Sequence, residues 1–343
     1  MSGKFFVSVE MARVICRSRA YLLVLVLAVL AQVSHAGIPF AYYAPADDSS
    51  AANLRTTLND IVTSGFTGTP FDNPDNSASF AVIEPSHEDT SNSSNVILIY
   101  GGDSRPKTPH GGANSDHTTG GWDREHTWPK SLFSNVEPCE GDFHVLFPSD
   151  ADINSGRSNS YYDTVGASTV SGFPDSFGNK ATSSVFEPSD ESKGRAARAV
   201  FYMDVRYEGE SGEPDLSLTD TGTSITSGSN KMGIKSTLLQ WHHDHPPTAF
   251  DRMVNQRLYN SQINANPFID HPEWIPIIYA SGPSWTMENS NTLAVTKTDR
   301  APTLRAPGSS NIALLSLNVT ETGQEWLLDN MAVSKLGTLS DAG

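Results

Sequence analysis

The chain has 343 residues, of which 18% are charged and 37% hydrophobic, and its formal net charge is −16. This composition is typical of a globular protein of about two domains and excludes collagen-like, low-complexity and disulfide-rich chains. The acidity also argues against a broad binding surface for polyanions, because charges of the same sign repel one another over long distances.

The first 36 residues have the layout of a secretory signal peptide. Four basic residues precede the uncharged apolar run from Tyr21 to Ala31, and Ser34 and Ala36 place small side chains before Gly37. The run is shorter than the roughly 20 apolar residues that a membrane span needs. We therefore expect cleavage near Ala36–Gly37, secretion to the periplasm or the extracellular space, and no membrane contact in the mature form.

The following region alternates short periodic segments with loops rich in Gly, Ser, Asn and Pro. Leu54, Leu58 and Ile61 recur at helical spacing, whereas the continuous apolar run before Gly101 is typical of a buried strand. In chain order, the predicted elements are a helix from Leu54 to Val62, a loop over 72–95, a strand over Asn95–Tyr100, a loop over 103–121, and helices over Glu191–Glu208, Lys235–Asp244 and Thr248–Ser261.

The last 61 residues, 283–343, differ from the rest of the chain in amino-acid composition. They are rich in Thr, Ser and Asn and contain few aromatic residues. We expect a short C-terminal tail that is β-rich or disordered, with a candidate strand at Ile312–Leu317.

The stretch from Trp122 to Asn159 holds most of the chemically useful residues. Its Glu125–His126 pair is flanked by basic residues and is followed by a cluster of Asp, Asn and Arg. A neutral histidine can take a proton from water near pH 7, and carboxylate and amide oxygens suit a hard cation such as Mg²⁺ or Ca²⁺. An arginine can hold a phosphate through two hydrogen bonds. Together these groups suffice for metal-assisted hydrolysis of a phosphodiester, although such residue types also occur together by chance.

Four blocks make the sequence resemble the Endonuclease I family, which comprises extracellular or periplasmic nonspecific nucleases of the His-Me finger (ββα-metal) group. They are GWDREHTWPKS, FHVLFPSDADINSGRSN, the block from Phe186 to Gly209, and NPFIDHPEW, in this order between about Ala41 and Trp274. The resemblance implies an α+β fold in which a ββα-metal finger at about 120–160 is embedded in a mostly helical frame. The implied nuclease domain spans 37–282, and the tail 283–343 is not covered.

The resemblance also implies roles for individual residues. His126 matches the general base that activates the attacking water, and Asn154 matches a metal ligand on the finger helix. Glu125 matches a carboxylate that binds the metal in some members, and Arg157 lies where an arginine near the scissile phosphate is expected. As supporting residues we name Glu140 and Asp142, which precede the second strand of the finger, and Arg124 beside the Glu-His pair.

One feature of the Glu125–His126 pair conflicts with a shared role. Neighbouring residues of a regular strand point to opposite faces, so both side chains face one phosphate only if the strand ends or bulges there. Trp128–Pro129 favours such an end, because proline cannot continue an internal ladder. His126 Nε2 is then expected to accept the proton of the water.

The implied activity is hydrolysis of DNA, and possibly of RNA, without sequence specificity, by a monomer that leaves 5′-phosphate ends. The implied cofactor is Mg²⁺, with Ca²⁺ or Mn²⁺ as alternatives. Two other functions remain open: an extracellular protein that binds polyanions or glycans without cutting them, and a phosphodiesterase for small phosphoesters.

Two other clusters have alternative interpretations. The three histidines of the WHHDH segment, His242, His243 and His245, could bind zinc, but histidines near a helix C-terminus are also favoured by the helix dipole. Arg195 and Arg198 could contact phosphates or form ion pairs with the acidic residues that open their helix.

Overall fold

The computed structural model describes residues 37–39, 41–71, 77–111, 121–166 and 177–279, and two short strands of the tail. Its compact units are Met1–Pro283 and Ser284–Gly343. The predicted signal peptide lies outside the described residues. No helix within the described ranges is long and apolar enough to cross a membrane.

Helices provide most of the regular structure of the first unit. They are α1 (Ala44–Asp47), α2 (Leu54–Thr63), α3 (Ser77–Ser86), α4 (Ala151–Arg157), α5 (Asp190–Arg206), α6 (Lys235–Asp244), α7 (Ala249–Gln262), α8 (Pro267–Asp270) and α9 (Trp274–Tyr279). Short 3₁₀ helices occupy Lys130–Phe133, Glu210–Gly212 and Gly222–Ser224.

The strands are short and form several small sheets. They are β1 (Glu88–Asp89), β2 (Asn92–Ile97), β3 (Ser104–Pro106), β4 (Trp122–His126), β5 (Leu146–Asp150), β6 (Tyr161–Tyr162), β7 (Lys180–Ala181), β8 (Val185–Glu187), β9 (Ser217–Leu218), β10 (Lys231–Met232), β11 (Thr303–Leu304) and β12 (Ile312–Ala313). The sheet orders are β1-β2-β3, β4-β5, β6-β8-β7, β9-β10 and β11-β12. Helices together with small sheets confirm the predicted α+β class.

Helix α5 lies at the centre of the first unit and packs against α2, α6 and α8. Its apolar residues are buried together with its charged residues, because each buried charge on the helix meets a charge of opposite sign. Arg195 and Arg198 both pair with Asp251 of α7, at 2.7 and 3.2 Å. These two arginines therefore pair with an acid of another helix and not with the acids that open α5.

Local sequence patterns predict the bounds of two helices closely and miss a third helix. Helix α6 has the predicted bounds, and α7 starts one residue later than predicted, because Thr248 is its N-cap and forms a capping box with Asp251. The predicted loop over 72–95 is wrong. Helix α3 forms there, and its apolar residues Phe80 and Ile83 are buried.

The predicted strand Asn95–Tyr100 starts and ends earlier than expected, at Asn92–Ile97. After β2 the chain turns to run beside β5, where the Ile99 amide donates to the carbonyl of Pro148 at 2.8 Å. This path brings the side chain of Tyr100 into contact with Glu125 of β4. In the tail, β12 coincides with the start of the predicted strand and pairs antiparallel with β11.

Candidate active site

Strands β4 and β5 and helix α4 form a compact strand–strand–helix unit. The strands are antiparallel in a regular register from Trp122 opposite Asp150 to His126 opposite Leu146. Helix α4 follows β5 directly because Asp150 caps it: its carboxylate accepts the amides of Asp152 at 2.9 Å and Ile153 at 3.1 Å. Of the two alternatives, an end of the strand or a bulge, the structure shows the end: the ladder is regular and β4 stops at His126.

Helix α4 is fixed to β4 through two side chains that lie one turn apart. Asn154 Nδ2 donates to the carbonyl of Arg124 at 3.3 Å. Arg157 donates to the carbonyls of His126 at 2.8 Å and Thr127 at 2.9 Å. Residues three apart share a helix face, so one face of α4 binds three carbonyls at the end of β4.

His126 is held by its own backbone and by one hydrogen bond of its ring. The Nε2 atom lies 2.9 Å from the carbonyl oxygen of Glu140, which can only accept, so Nε2 carries the proton. Among the described residues, Nδ1 has no hydrogen-bond partner, and it is not sealed from solvent. The expectation that Nε2 acts as the base is therefore wrong, and Nδ1 is the nitrogen available to accept a proton.

The electrostatic surroundings keep this imidazole neutral. Burial lowers the pKa of His126 to about 3; the hydrogen bond to Glu140 opposes the shift, and the nearby cations Lys130, Arg124 and Arg157 add to it. A neutral imidazole with one free nitrogen can act as a general base over a wide pH range.

An aromatic ring separates His126 from two cations. Phe71 packs edge-on against the imidazole, with ring centroids 4.7 Å apart. The guanidinium of Arg124 lies 3.8 Å from the Phe71 centroid, and the ammonium of Lys130 lies 4.6 Å from it. Arg124 also donates to Ser79 at 2.6 Å. Arg124 thus supports the packing around the histidine from behind Phe71.

The side chain of Glu125 points away from that of His126, to the face of β4 that packs against α4. Its Oε1 accepts a hydrogen bond from the hydroxyl of Tyr100 and lies 3.2 Å from Nη1 of Arg157. Burial raises the pKa of Glu125, and Arg157 and Tyr100 limit the rise because both favour the carboxylate. Within the described part of the chain, Oε2 has no hydrogen-bond partner and is not sealed from solvent.

The position of Arg157 differs from the expected one. The residue is only 1% exposed. Its guanidinium pairs with Glu125, donates to two backbone carbonyls and lies over the ring of Tyr162, 4.9 Å from the ring centroid. Burial alone would lower the pKa of Arg157, but Glu125 and the neighbouring tyrosines raise it. Because the residue is almost fully buried, its guanidinium presents no exposed edge to a phosphate in this conformation. We therefore correct its role to that of a positioning residue.

The two acidic supporting residues have different surroundings. Glu140 adjoins the histidine through its carbonyl, while its carboxylate forms an ion pair with Lys130 at 2.6 Å. Asp142 does not reach His126 and lies in a separate core network, where Tyr202 and Tyr207 donate to it at 2.7 and 3.0 Å. The supporting role expected for Asp142 is therefore a structural one.

The histidines of the WHHDH segment do not converge. His242 is buried and its Nε2 donates to the carbonyl of Pro272 at 3.0 Å, whereas His243 contacts Asp244 at 2.9 Å. No group of three or more His, Cys, Asp or Glu residues that could hold a metal occurs within the described ranges.

Two side-chain oxygens beside α4, which have no partner among the described residues, are of the type that binds a hard cation. Because Asn154 Nδ2 is bound to a carbonyl, its Oδ1 is turned away and has no partner among the described residues. Oδ1 and Glu125 Oε2 are one amide and one carboxylate oxygen, the donor types that Mg²⁺, Ca²⁺ and Mn²⁺ prefer. Mg²⁺ usually retains several waters and takes only one or two protein oxygens, so two donors are sufficient.

Three residues of the site were not found from the sequence. Phe71, Tyr100 and Tyr162 come from different segments and carry no pattern of their own. The apolar run that ends in Tyr100 and stops at Gly101 was the only local signal, and it indicated a strand end without showing that the hydroxyl reaches Glu125.

One strand–strand–helix unit thus carries a buried imidazole with an unbound nitrogen, an amide and a carboxylate, the residue types that a hydrolase of phosphate esters uses. The model of the Endonuclease I family matches residues 50–273. The chain belongs to this family and is thus a nuclease that hydrolyses phosphodiester bonds. The resemblance predicted from the four sequence blocks is confirmed.

Two relatives are similar over most of the same region. A protein named extracellular ribonuclease from Bacillus amyloliquefaciens is 39% identical over 242 residues, which cover 69% of this chain and 78% of the relative. A protein of the same name from Bacillus subtilis (strain 168) is 37% identical with the same coverage.

Proposed function

We propose that the protein is a secreted, metal-dependent endonuclease that hydrolyses DNA and RNA without sequence specificity. The observation that carries this proposal is the state of His126, which is neutral, fixed at Nε2 by the Glu140 carbonyl and free at Nδ1. The strand–strand–helix unit that holds it has the element order of a ββα-metal finger, and we assign it to that group.

The chain's own residues would act as follows. Nδ1 of His126 takes a proton from a water molecule that attacks phosphorus, while the Nε2–H bond to Glu140 fixes the ring and stabilises the imidazolium that forms. The bond from phosphorus to the 3′ oxygen breaks, the 3′ oxygen takes a proton from solvent water, and His126 returns its proton to solvent, which leaves a 5′-phosphate and a 3′-hydroxyl. Arg157 keeps the ends of β4 and α4 in register during this step.

Asn154 Oδ1 and Glu125 Oε2 would hold the cation, which we propose to be Mg²⁺. When bound, it would neutralise charge on the phosphate and on the leaving oxygen. Arg157 already balances the charge of Glu125 at 3.2 Å, so the protein alone offers little net negative charge to the cation. We therefore expect weak binding without nucleic acid and tighter binding when a substrate phosphate completes the site.

The relatives' names support RNA as a substrate and support secretion, in agreement with the signal peptide predicted for residues 1–36. DNA enters the proposal through the chemistry of the site, since attack by an external water does not need a 2′-hydroxyl. The net charge of −16 argues against a broad basic surface, and we propose a monomer that contacts few phosphates and no particular base sequence.

The proposal is tested by incubating the purified protein with supercoiled plasmid and, separately, with a long RNA. Mg²⁺ should produce nicking and then smearing of both substrates, and excess EDTA should abolish the activity. His126→Ala should lower the rate on the order of 10²–10⁴-fold, as removal of a general base does. His243→Ala, a partly exposed histidine outside the site, is the matched control and should retain the wild-type rate.

The rival functions give different results in the same assay. A protein that only binds polyanions or glycans would leave both nucleic acids intact. A phosphodiesterase for small phosphoesters would leave the plasmid intact while hydrolysing a chromogenic phosphodiester. Full activity of His126→Ala, or full activity in EDTA, would overturn the proposal.

A further inference from the structure

The turn after β2 contains a backbone conformation that is rare for a bulky residue. Tyr100 has φ of 74°, in the left-handed region, although two glycines follow it directly. Non-glycine residues with an aromatic side chain adopt this region only when their surroundings impose it, and such residues cluster at functional sites. The strained position at Tyr100 therefore requires a structural reason.

The backbone of Tyr100 is clamped on both sides, by Ser189 and Ser192 at the N-terminus of α5 and by Asn179, which directly precedes β7. The Tyr100 amide donates to Ser192 Oγ at 2.9 Å. Its carbonyl accepts bonds from Asn179 Nδ2 at 3.1 Å and from Ser189 Oγ at 2.8 Å. Three side chains thus bind a single residue, which is more than an ordinary turn requires.

The clamp directs the phenol of Tyr100 to Glu125. The side chain is fully buried, and its hydroxyl donates to Glu125 Oε1 and lies 2.7 Å from the hydroxyl of Tyr162. Arg157 approaches the same carboxylate oxygen at 3.2 Å. Both protein partners therefore bind Oε1, which fixes the carboxylate plane and leaves Oε2 for another ligand.

We infer that Tyr100 is a positioning residue for the cation site, held in its left-handed conformation so that its phenol presents Glu125 Oε2 to the metal. This inference rests on the proposed function, because it assigns a role towards the cation that Asn154 and Glu125 would bind. It differs from a packing role, since a tyrosine needed only for packing could be replaced by phenylalanine without a change in metal binding.

The test is a Mn²⁺ titration of the full-length protein without nucleic acid, carried to millimolar Mn²⁺ because binding is expected to be weak, in which the electron paramagnetic resonance signal of free Mn²⁺ reports binding. Tyr100→Phe should weaken Mn²⁺ binding at least tenfold, the loss expected when a partner of a metal-ligating carboxylate is removed. Tyr207→Phe is the matched control. It removes an equally buried phenol that donates to a carboxylate, Asp142 at 3.0 Å, away from Glu125. Its Mn²⁺ affinity should equal that of the wild type.

Asn154→Ala separates failure of this inference from failure of the proposed function. If wild type and Asn154→Ala bind Mn²⁺ equally, the cation site is wrong and the role of Tyr100 falls with it. If Asn154→Ala weakens binding and Tyr100→Phe does not, only the role of Tyr100 is overturned.

Ser192→Ala provides a second variant in case Tyr100→Phe does not fold. It removes one bond of the clamp and keeps the phenol, and an intermediate loss of Mn²⁺ affinity is expected. Unchanged affinity in a folded Ser192→Ala protein would contradict a role for the clamped backbone.

Discussion

The carbonyl oxygen of Glu140 lies 2.9 Å from Nε2 of His126, and this one contact decides which ring nitrogen can do chemistry. A carbonyl accepts only, so the proton resides on Nε2 and Nδ1 presents a lone pair. The carboxylate of Glu140 is meanwhile paired with Lys130 at 2.6 Å. The side chain of Glu140 is thus not needed for this role, which any residue with the same backbone could fill.

The pH dependence of cleavage should lack the acid limb that is usual for a histidine base. Burial lowers the pKa of His126 from 6.5 to about 3, so the free enzyme keeps its base unprotonated as the pH falls through 6 and 5. We expect kcat/KM for a fluorogenic oligonucleotide, whose pH dependence reports groups of the free enzyme, to show no titration of His126 near pH 6.5; an acid limb at lower pH would belong to Glu125, whose pKa burial raises. A half-maximal value near pH 6.5 would contradict this assignment.

Substitution of Arg157 should affect stability as well as activity. Arg157→Met leaves the carboxylate of Glu125 buried without its cation, which typically destabilises a protein by about 3–5 kcal/mol. The double variant Arg157→Met/Glu125→Gln should recover much of this loss in urea unfolding but should not recover cleavage.

The alternative role of Arg157 gives the opposite pattern. If its guanidinium served a phosphate directly, Arg157→Met would lower kcat with little change in the free energy of unfolding, and the added Glu125→Gln change would not stabilise the protein.

Acid should destabilise the fold before the carboxylates titrate. Burial lowers the pKa of His87 and of His242 to about 3, against 6.5 for an unperturbed histidine. Below pH 6.5 the unfolded chain therefore binds protons that the folded chain does not, and stability falls by up to about 1.4 kcal/mol per pH unit for each such group. The free energy of unfolding should decrease steadily from pH 6.5 to pH 4.5.

His242→Gln isolates one of these contributions. Glutamine can still donate to the Pro272 carbonyl but does not titrate, so the slope of stability against pH should become shallower. Parallel curves for wild type and His242→Gln would show that this group does not contribute.

Cleavage should depend only weakly on salt. Several basic side chains of the described residues are already paired with acids, as Lys130 is with Glu140, Lys107 with Glu88 and Arg206 with Glu213. With few phosphate contacts, the rate at constant MgCl₂ should fall less than about tenfold between 50 and 200 mM NaCl, whereas 6–10 contacts would cost about 10³–10⁵ in affinity. A steep loss of rate in this range would contradict the prediction and indicate an extensive phosphate-binding surface.

Local sequence patterns predicted those parts of the protein whose signals lie within one segment. Helix α7 followed from its periodicity and the Thr248 cap, and the roles of His126 and Asn154 followed from the resemblance and stay predictions until the variants are measured. Helix α3 was missed because the polar residues around it resemble a loop, while its burial depends on α7, which is distant in sequence.

The residue types also do not indicate which partner each charged side chain has in the folded protein. An arginine in DINSGR matches a phosphate ligand as well as it matches a buried partner of Glu125, and only the packing of α4 on β4 separates the two. The same holds for Arg198, whose partner Asp251 lies on another helix. Such assignments depend on contacts between distant segments, which a single sequence does not display.

The two anchoring side chains of α4, Asn154 and Arg157, have a consequence for how this segment can change in length. One inserted residue between them would rotate Arg157 by about 100° around the helix axis, so only one of the two could still meet β4. The loop between β4 and β5 is under no such angular constraint. Natural or engineered insertions should therefore be tolerated at the exposed turn of Ser134 and Asn135, whereas the interval of three residues on α4 is fixed.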